Sequence, residues 1–69
     1  MLQLKQRDRV IFIPLHAKRD RHHPDCERGM VSSVAPGGTV YVKFNGKIAR
    51  YGWEQAPAEA CDPENLAKE

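Results

Sequence analysis

The stretch from Leu15 to Arg28, LHAKRDRHHPDCER, gathers most of the residues in this chain that could do chemistry. It holds all three histidines, His16, His22 and His23, and one of the two cysteines, Cys26. In His23-Pro24-Asp25-Cys26 an imidazole and a thiol are separated by two residues, the spacing of half a zinc site. Cys61 is distant in sequence, but a folded sheet could bring it to the start of a strand. His16 or His22 would then complete a Cys2His2 tetrahedron. One structural zinc would pin a long loop and add stability that a small core lacks. The half-site is H-x2-C, and no second tight pair exists. Solvent-facing histidines and a cysteine that merely fills core space are therefore the competing reading, and a Cys26–Cys61 disulfide is a third.

Catalysis is not expected. Cys26 beside His22 or His23 could be an activated thiolate, and Ser32 and Ser33 are further candidate nucleophiles, yet no nucleophile motif surrounds any of them. The chain has no glycine-rich phosphate loop and no paired carboxylates, and 69 residues leave little room for a substrate cleft.

The basic residues suggest a different use. Lys18-Arg19-x-Arg21 lies in the same loop, with Arg7 and Arg9 shortly before it. Arg50, Tyr51 and Trp53 mix charge with rings that could stack on bases. Residues 1–21 carry six Lys and Arg against two Asp, a balance of +4. Residues 22–50 carry four against two, or +2, and residues 51–69 carry one against five, or −4. A basic front with an acidic tail fits a nucleic-acid-facing surface, with Lys18, Arg19, Arg21, Arg50 and Tyr51 as the contacts. It fits equally a small domain whose ends attract each other, or charges that only keep the chain in solution. Trp53 is the ring most expected to serve packing. The net charge of +2 is modest for a dedicated nucleic-acid binder. A host protein competes as partner, through an unpaired sheet edge or the apolar face of Ile11 and Ile13.

These residues must be positioned by a small scaffold. The length predicts one domain, covering residues 1–69, with a core that only marginally offsets chain entropy. Composition, 41% hydrophobic and 29% charged, is that of a globular chain. No apolar run approaches the roughly 20 residues of a membrane span, and no signal-peptide core is present. The expectation is a cytoplasmic protein without membrane contact, monomeric or homodimeric.

Strands dominate the pattern. Leu2 and Leu4 could pair onto a sheet edge. Asp8-Arg9-Val10-Ile11-Phe12-Ile13 reads as a first strand, ended by Pro14. Gly29 to Val34 is a second strand in which Val31 and Val34 are spaced by three, so a bulge is needed if both face inward. Ala35-Pro36-Gly37-Gly38 predicts a type II turn with Gly37 at positive φ. Val40, Val42 and Phe44 alternate with Thr39, Tyr41 and Lys43 in a third strand. Asn45-Gly46 predicts a tight type I′ reversal, with Lys47 to Trp53 continuing as a strand or loose extension. Ala58 to Cys61 is a short returning strand, and Asp62 caps a single helical turn begun by Pro63. The predicted interior is Val10, Phe12, Val31, Val34, Val40, Val42 and Phe44.

In order and spacing, Asp8-x-Val10-x-Phe12, Gly29-x-Val31-x-x-Val34, Val40-x-Val42-x-Phe44 and Asp62-Pro63-x-x-Leu66 resemble an SH3-like barrel of the KOW type over two thirds of the chain. The resemblance implies an all-β antiparallel barrel that acts as a binding module for RNA or protein. Two departures stand out: the long His/Cys-bearing loop after the first strand, and a last strand almost missing after Leu66. HPDCERG and ACDPENL also resemble stretches of small uncharacterised phage or prophage proteins. The leading expectation is a non-enzymatic nucleic-acid-binding module. The alternatives are a phage-encoded protein that modulates a host protein, and a zinc-stabilised structural dimer.

Overall fold

The computed structural model describes residues 4–69, so Leu2 and its expected edge pairing lie outside the described residues. Five strands form one antiparallel sheet curled as a half-barrel: β1 (Arg9–Phe12), β2 (Glu27–Val34), β3 (Val40–Phe44), β4 (Glu59–Cys61) and β5 (Leu66–Lys68). Their order across the sheet is β4-β3-β2-β1-β5. The all-β expectation holds.

The period-2 pattern of β3 is reproduced in burial, with Val40, Val42 and Phe44 buried and Tyr41 and Lys43 half-buried. Val10, Val31, Val40, Val42, Phe44, Cys61 and Leu66 form the core, with Leu4 and Phe12 packed against it. Each fully buried aliphatic side chain here contributes roughly 1.5–3 kcal/mol. Phe12 meets Phe44 edge to face, with ring centroids 6.3 Å apart, the arrangement aromatic quadrupoles prefer.

The bulge forms where the spacing of three required it: the β2–β3 register shifts between Val31 and Ser33. It does not bury Val34, which is 44% exposed. Val34 occupies the last rung of the ladder, opposite Val40, where the sheet has no further strand length to cover it.

The hairpin turn differs from expectation in one residue. Gly38 N–H donates to the Ala35 carbonyl at 2.9 Å, and Ala35 N–H donates to Thr39 at 2.8 Å. The positive φ falls on Gly38, at 98°, rather than on Gly37. A three-residue loop commonly closes in this way, with a type I turn followed by a left-handed glycine whose twist suits the flanking strands.

The segment after β3 is a correction. Asn45–Tyr51 is an α-helix, α1, and not a reversal followed by a strand. Lys47, Ile48, Ala49 and Arg50 lack the alternation a strand would need, and Gly52, with φ 81°, ends the helix by donating to the Ile48 carbonyl. None of the residues of α1 is buried.

The last strand is short but present. Asp62 accepts from the Glu64 N–H and caps a 3₁₀ turn, Pro63–Asn65. Leu66–Lys68 then pairs with β1, Phe12 opposite Leu66 and Val10 opposite Lys68. The edge of β1 that was expected to be free is therefore covered. The second apolar face is covered in part: Ile11 is only 1% exposed, whereas Ile13 is half-buried.

Candidate functional site

Cross-strand register places the two groups of expected contacts at one end of the sheet. Phe12, the last residue of β1, lies opposite Glu27, the first of β2. The connection between them is the long loop, residues 13–26. Phe44, the last residue of β3, lies opposite Gly29 and leads directly into α1. Loop and helix thus leave β1 and β3, the two strands that flank β2, at the same end of the sheet.

The loop is a chain of tight turns. Leu15–Ala17 is one turn of 3₁₀ helix, whose Ala17 is buried. Backbone bonds then run from Asp20 to the Ala17 carbonyl, His23 to Asp20, and Cys26 to His23, all at 3.0–3.1 Å. The Asp20 carboxylate accepts from the His22 N–H at 2.9 Å, a local Asx bond. Lys18 and Arg19 both have left-handed φ, 51° and 66°, and both are exposed. Arg21 reaches across to donate to the Lys68 carbonyl at 3.0 Å, tying the loop to β5.

On the other element, Lys47 and Arg50 are exposed. The Arg50 guanidinium lies 5.3 Å from the Tyr51 ring centroid, and Tyr51 is 44% exposed. Lys18, Arg19, Lys47 and Arg50 take part in none of the ion pairs found among the described residues, which join His16 to Asp25, Arg28 to Glu69 and Lys68 to Asp8. A groove of about 630 Å³ opens beside α1. Its charge is mixed, with Arg28, Lys47 and Arg50 against Glu27 and Glu59.

The expected metal ligands are only partly brought together. His16 Nε2 and Asp25 Oδ2 are 2.7 Å apart, and the His16 and His23 rings meet edge to face at 5.3 Å. His16, His23 and Asp25 offer ligand atoms within 4.8 Å of one another. His22 is outside this cluster, and so are both thiols. The Cys26 thiol donates to the Asp20 carbonyl at 3.2 Å. Cys61 is buried in the core opposite Val40 and donates to the Glu59 carbonyl. Burial pushes its thiol pKa up, and the negative charges of Glu59 and Glu27 push it further. Both cysteines are free thiols, which disposes of the Cys26–Cys61 disulfide.

Trp53 packs as expected. Arg7 and Lys43 lie over its ring at 4.5 and 4.7 Å from the centroid, and Lys43 Nζ donates to its carbonyl at 2.5 Å. Asp25 and Lys47 are the residues sequence reasoning passed over. Asp25 stands inside the HPDC stretch and would have emerged had carboxylates been counted as ligands. Lys47 was hidden by placing it on a strand.

No protein-family model, curated protein or solved structure matches the chain.

Proposed function

We propose that the protein is a non-enzymatic binding module for nucleic acid, contacted by Lys18 and Arg19 on the loop and by Arg50 and Tyr51 on α1. The observation that carries this reading is the placement of four exposed cations outside the ion pairs found among the described residues, Lys18, Arg19, Lys47 and Arg50, on two segments that leave the same end of the sheet. Unpaired cations are free to displace counterions from phosphates. Tyr51 beside Arg50 adds a half-exposed ring on which an unpaired base can stack. Two features favour this partner over a protein. Ile11 is buried and Ile13 half-buried, which leaves only part of that face open to a partner, and the outer strands β4 and β5 are three residues each, a short template for strand addition.

Arg21 has a different part in this reading. Its side chain is engaged with the Lys68 carbonyl, so it positions the loop that carries Lys18 and Arg19.

The test is fluorescence anisotropy with labelled single-stranded RNA, single-stranded DNA and duplex DNA over a series of salt concentrations. Affinity should fall linearly in log–log form as salt rises. Arg19→Glu and Arg50→Glu should each weaken binding to all sequences alike and flatten the slope by about 0.7 on single strands. Absence of binding to all three probes at low salt overturns the reading.

A further inference from the structure

We propose that His16, His23 and Asp25 form a site for a divalent transition-metal ion of borderline softness, with zinc as the fitting example, inside the long loop. This goes beyond nucleic-acid binding and stands independently of it. His16 stands on the 3₁₀ turn Leu15–Ala17, and His23 and Asp25 share the turn closed by the Cys26 N–H on the His23 carbonyl, yet one ligand atom of each lies within 4.8 Å of the other two. Zinc holds nitrogen and oxygen ligands at ~2.0–2.2 Å, so side-chain adjustments of roughly one ångström close the set around one ion.

The donor chemistry selects the ion. Two imidazoles and one carboxylate suit zinc and its neighbours, whereas calcium and magnesium prefer all-oxygen sets. His16 Nε2 and Asp25 Oδ2, at 2.7 Å, already share a proton, and the ion takes the place of that proton. His23 Nδ1 accepts from the Asp25 N–H at 3.0 Å, so ligation by His23 releases this bond and turns the Asp25 N–H to solvent, a cost the ion must offset. His16 and Asp25 are exposed and His23 half-buried, so water fills the remaining coordination position. The site is thus an open one, unlike a closed Cys2His2 centre, and neither Cys26 nor Cys61 takes part.

The consequence lies between the ligands. From His16 to His23 the chain passes through Lys18 and Arg19, consecutive left-handed residues that both carry side chains, a conformation disfavoured for them. An ion joining His16 to His23 and Asp25 closes a ring over this segment and locks the geometry in which both cations are displayed.

The experiment is isothermal titration calorimetry of the full chain, stripped with chelator, with zinc chloride as the only ligand. One equivalent should bind. His16→Ala, His23→Ala and Asp25→Asn should each weaken binding by at least about tenfold, whereas His22→Ala and Cys26→Ser should bind as the wild type does. Circular dichroism of each variant reports that it is folded. Cobalt(II) should give d–d bands without thiolate charge-transfer absorption. The proposal is overturned by no saturable binding in the wild type, by wild-type affinity in the His16, His23 and Asp25 variants, or by loss of binding in Cys26→Ser. None of these outcomes depends on nucleic acid.

Discussion

Gly29 faces the Lys43 carbonyl so closely that a Cβ on Gly29 would lie 2.7 Å from that oxygen. The same Cβ would be 2.9 Å from Val42 Cγ1 and 3.0 Å from Phe44 Cα. Two of the three atoms are backbone of the adjacent strand, which cannot swing aside as a flexible side chain would. Gly29→Ala therefore has to push β3 away from β2 at the rungs that carry Val42 and Phe44. The expected cost is about 1–3 kcal/mol, the range for overpacking a close-packed interior. Urea denaturation should show a lower midpoint with an unchanged slope. Gly37→Ala, whose Cβ meets nothing within 4 Å, serves as the control and should differ little from wild type.

Lys43 alternates out of the core, and by sequence alone its replacement should be nearly silent. The structure gives it two attachments to Trp53: a hydrogen bond to the carbonyl and a position over the ring. Both hold the segment that follows α1 against the outer face of the sheet. Lys43→Ala should lower stability by about 1–2 kcal/mol, combining a charged hydrogen bond with a partly desolvated cation–π contact. Trp53 fluorescence should change at the same time as its surroundings become wetter. An unchanged spectrum and melting temperature would show that Trp53 is held by other contacts.

How much of this was legible depends on how local each determinant is. The strand of Val40, Val42 and Phe44 and the bulge after Val31 follow from spacings a few residues long, and the Asp62-Pro63 turn from two adjacent residues. The fate of Asn45-Gly46 does not. That dipeptide favours a tight reversal only when strands flank it, and the helix is decided downstream, by the missing alternation and the left-handed Gly52. The metal cluster lies further from view. His16 and Asp25 are nine residues apart, and only the succession of turns between them brings the two side chains together. Cys61 was misplaced for the same reason: its register opposite Val40 turns the thiol into the core, which no spacing along the chain reveals.

The buried thiol has a consequence for alkaline stability. Burial first, and then Glu59 and Glu27, raise the Cys61 pKa above its ordinary value of 9.0. The unfolded chain then loses this proton at a lower pH than the folded one, so the unfolded state binds fewer protons in the window between the two values. Stability associated with the group is full below pH 9.0 and is lost as pH rises from there through the raised folded value. Denaturation midpoints measured from pH 8 upwards should therefore decline, and Cys61→Ala should decline less steeply after allowance for its lower starting point. Thiol-reactive probes should also label half-buried Cys26 well before Cys61. Equal labelling rates under native conditions would contradict the burial of Cys61.

Arg19 and Arg21 stand two residues apart in the same basic run, yet their surroundings assign them different effects. Arg19 is exposed, in a left-handed conformation and in no ion pair found among the described residues, whereas the Arg21 guanidinium donates to the Lys68 carbonyl and so joins the loop to the last strand. Arg19→Glu should leave the melting temperature close to wild type and weaken nucleic-acid binding with a shallower salt dependence, by about 0.7 in slope on single strands. Arg21→Glu should lower stability by about 1 kcal/mol, since a hydrogen bond to a backbone acceptor is lost. It should also weaken binding indirectly, by freeing the loop that presents Lys18 and Arg19. Arg21→Gln removes the charge without adding a negative one, and its shorter side chain gives up the bond to Lys68 as well, so the salt slope tells the two roles apart. If its melting temperature falls while its salt slope stays unchanged, Arg21 acts through position alone. A slope that flattens in Arg21→Gln as much as in Arg19→Glu would instead make Arg21 a direct phosphate contact.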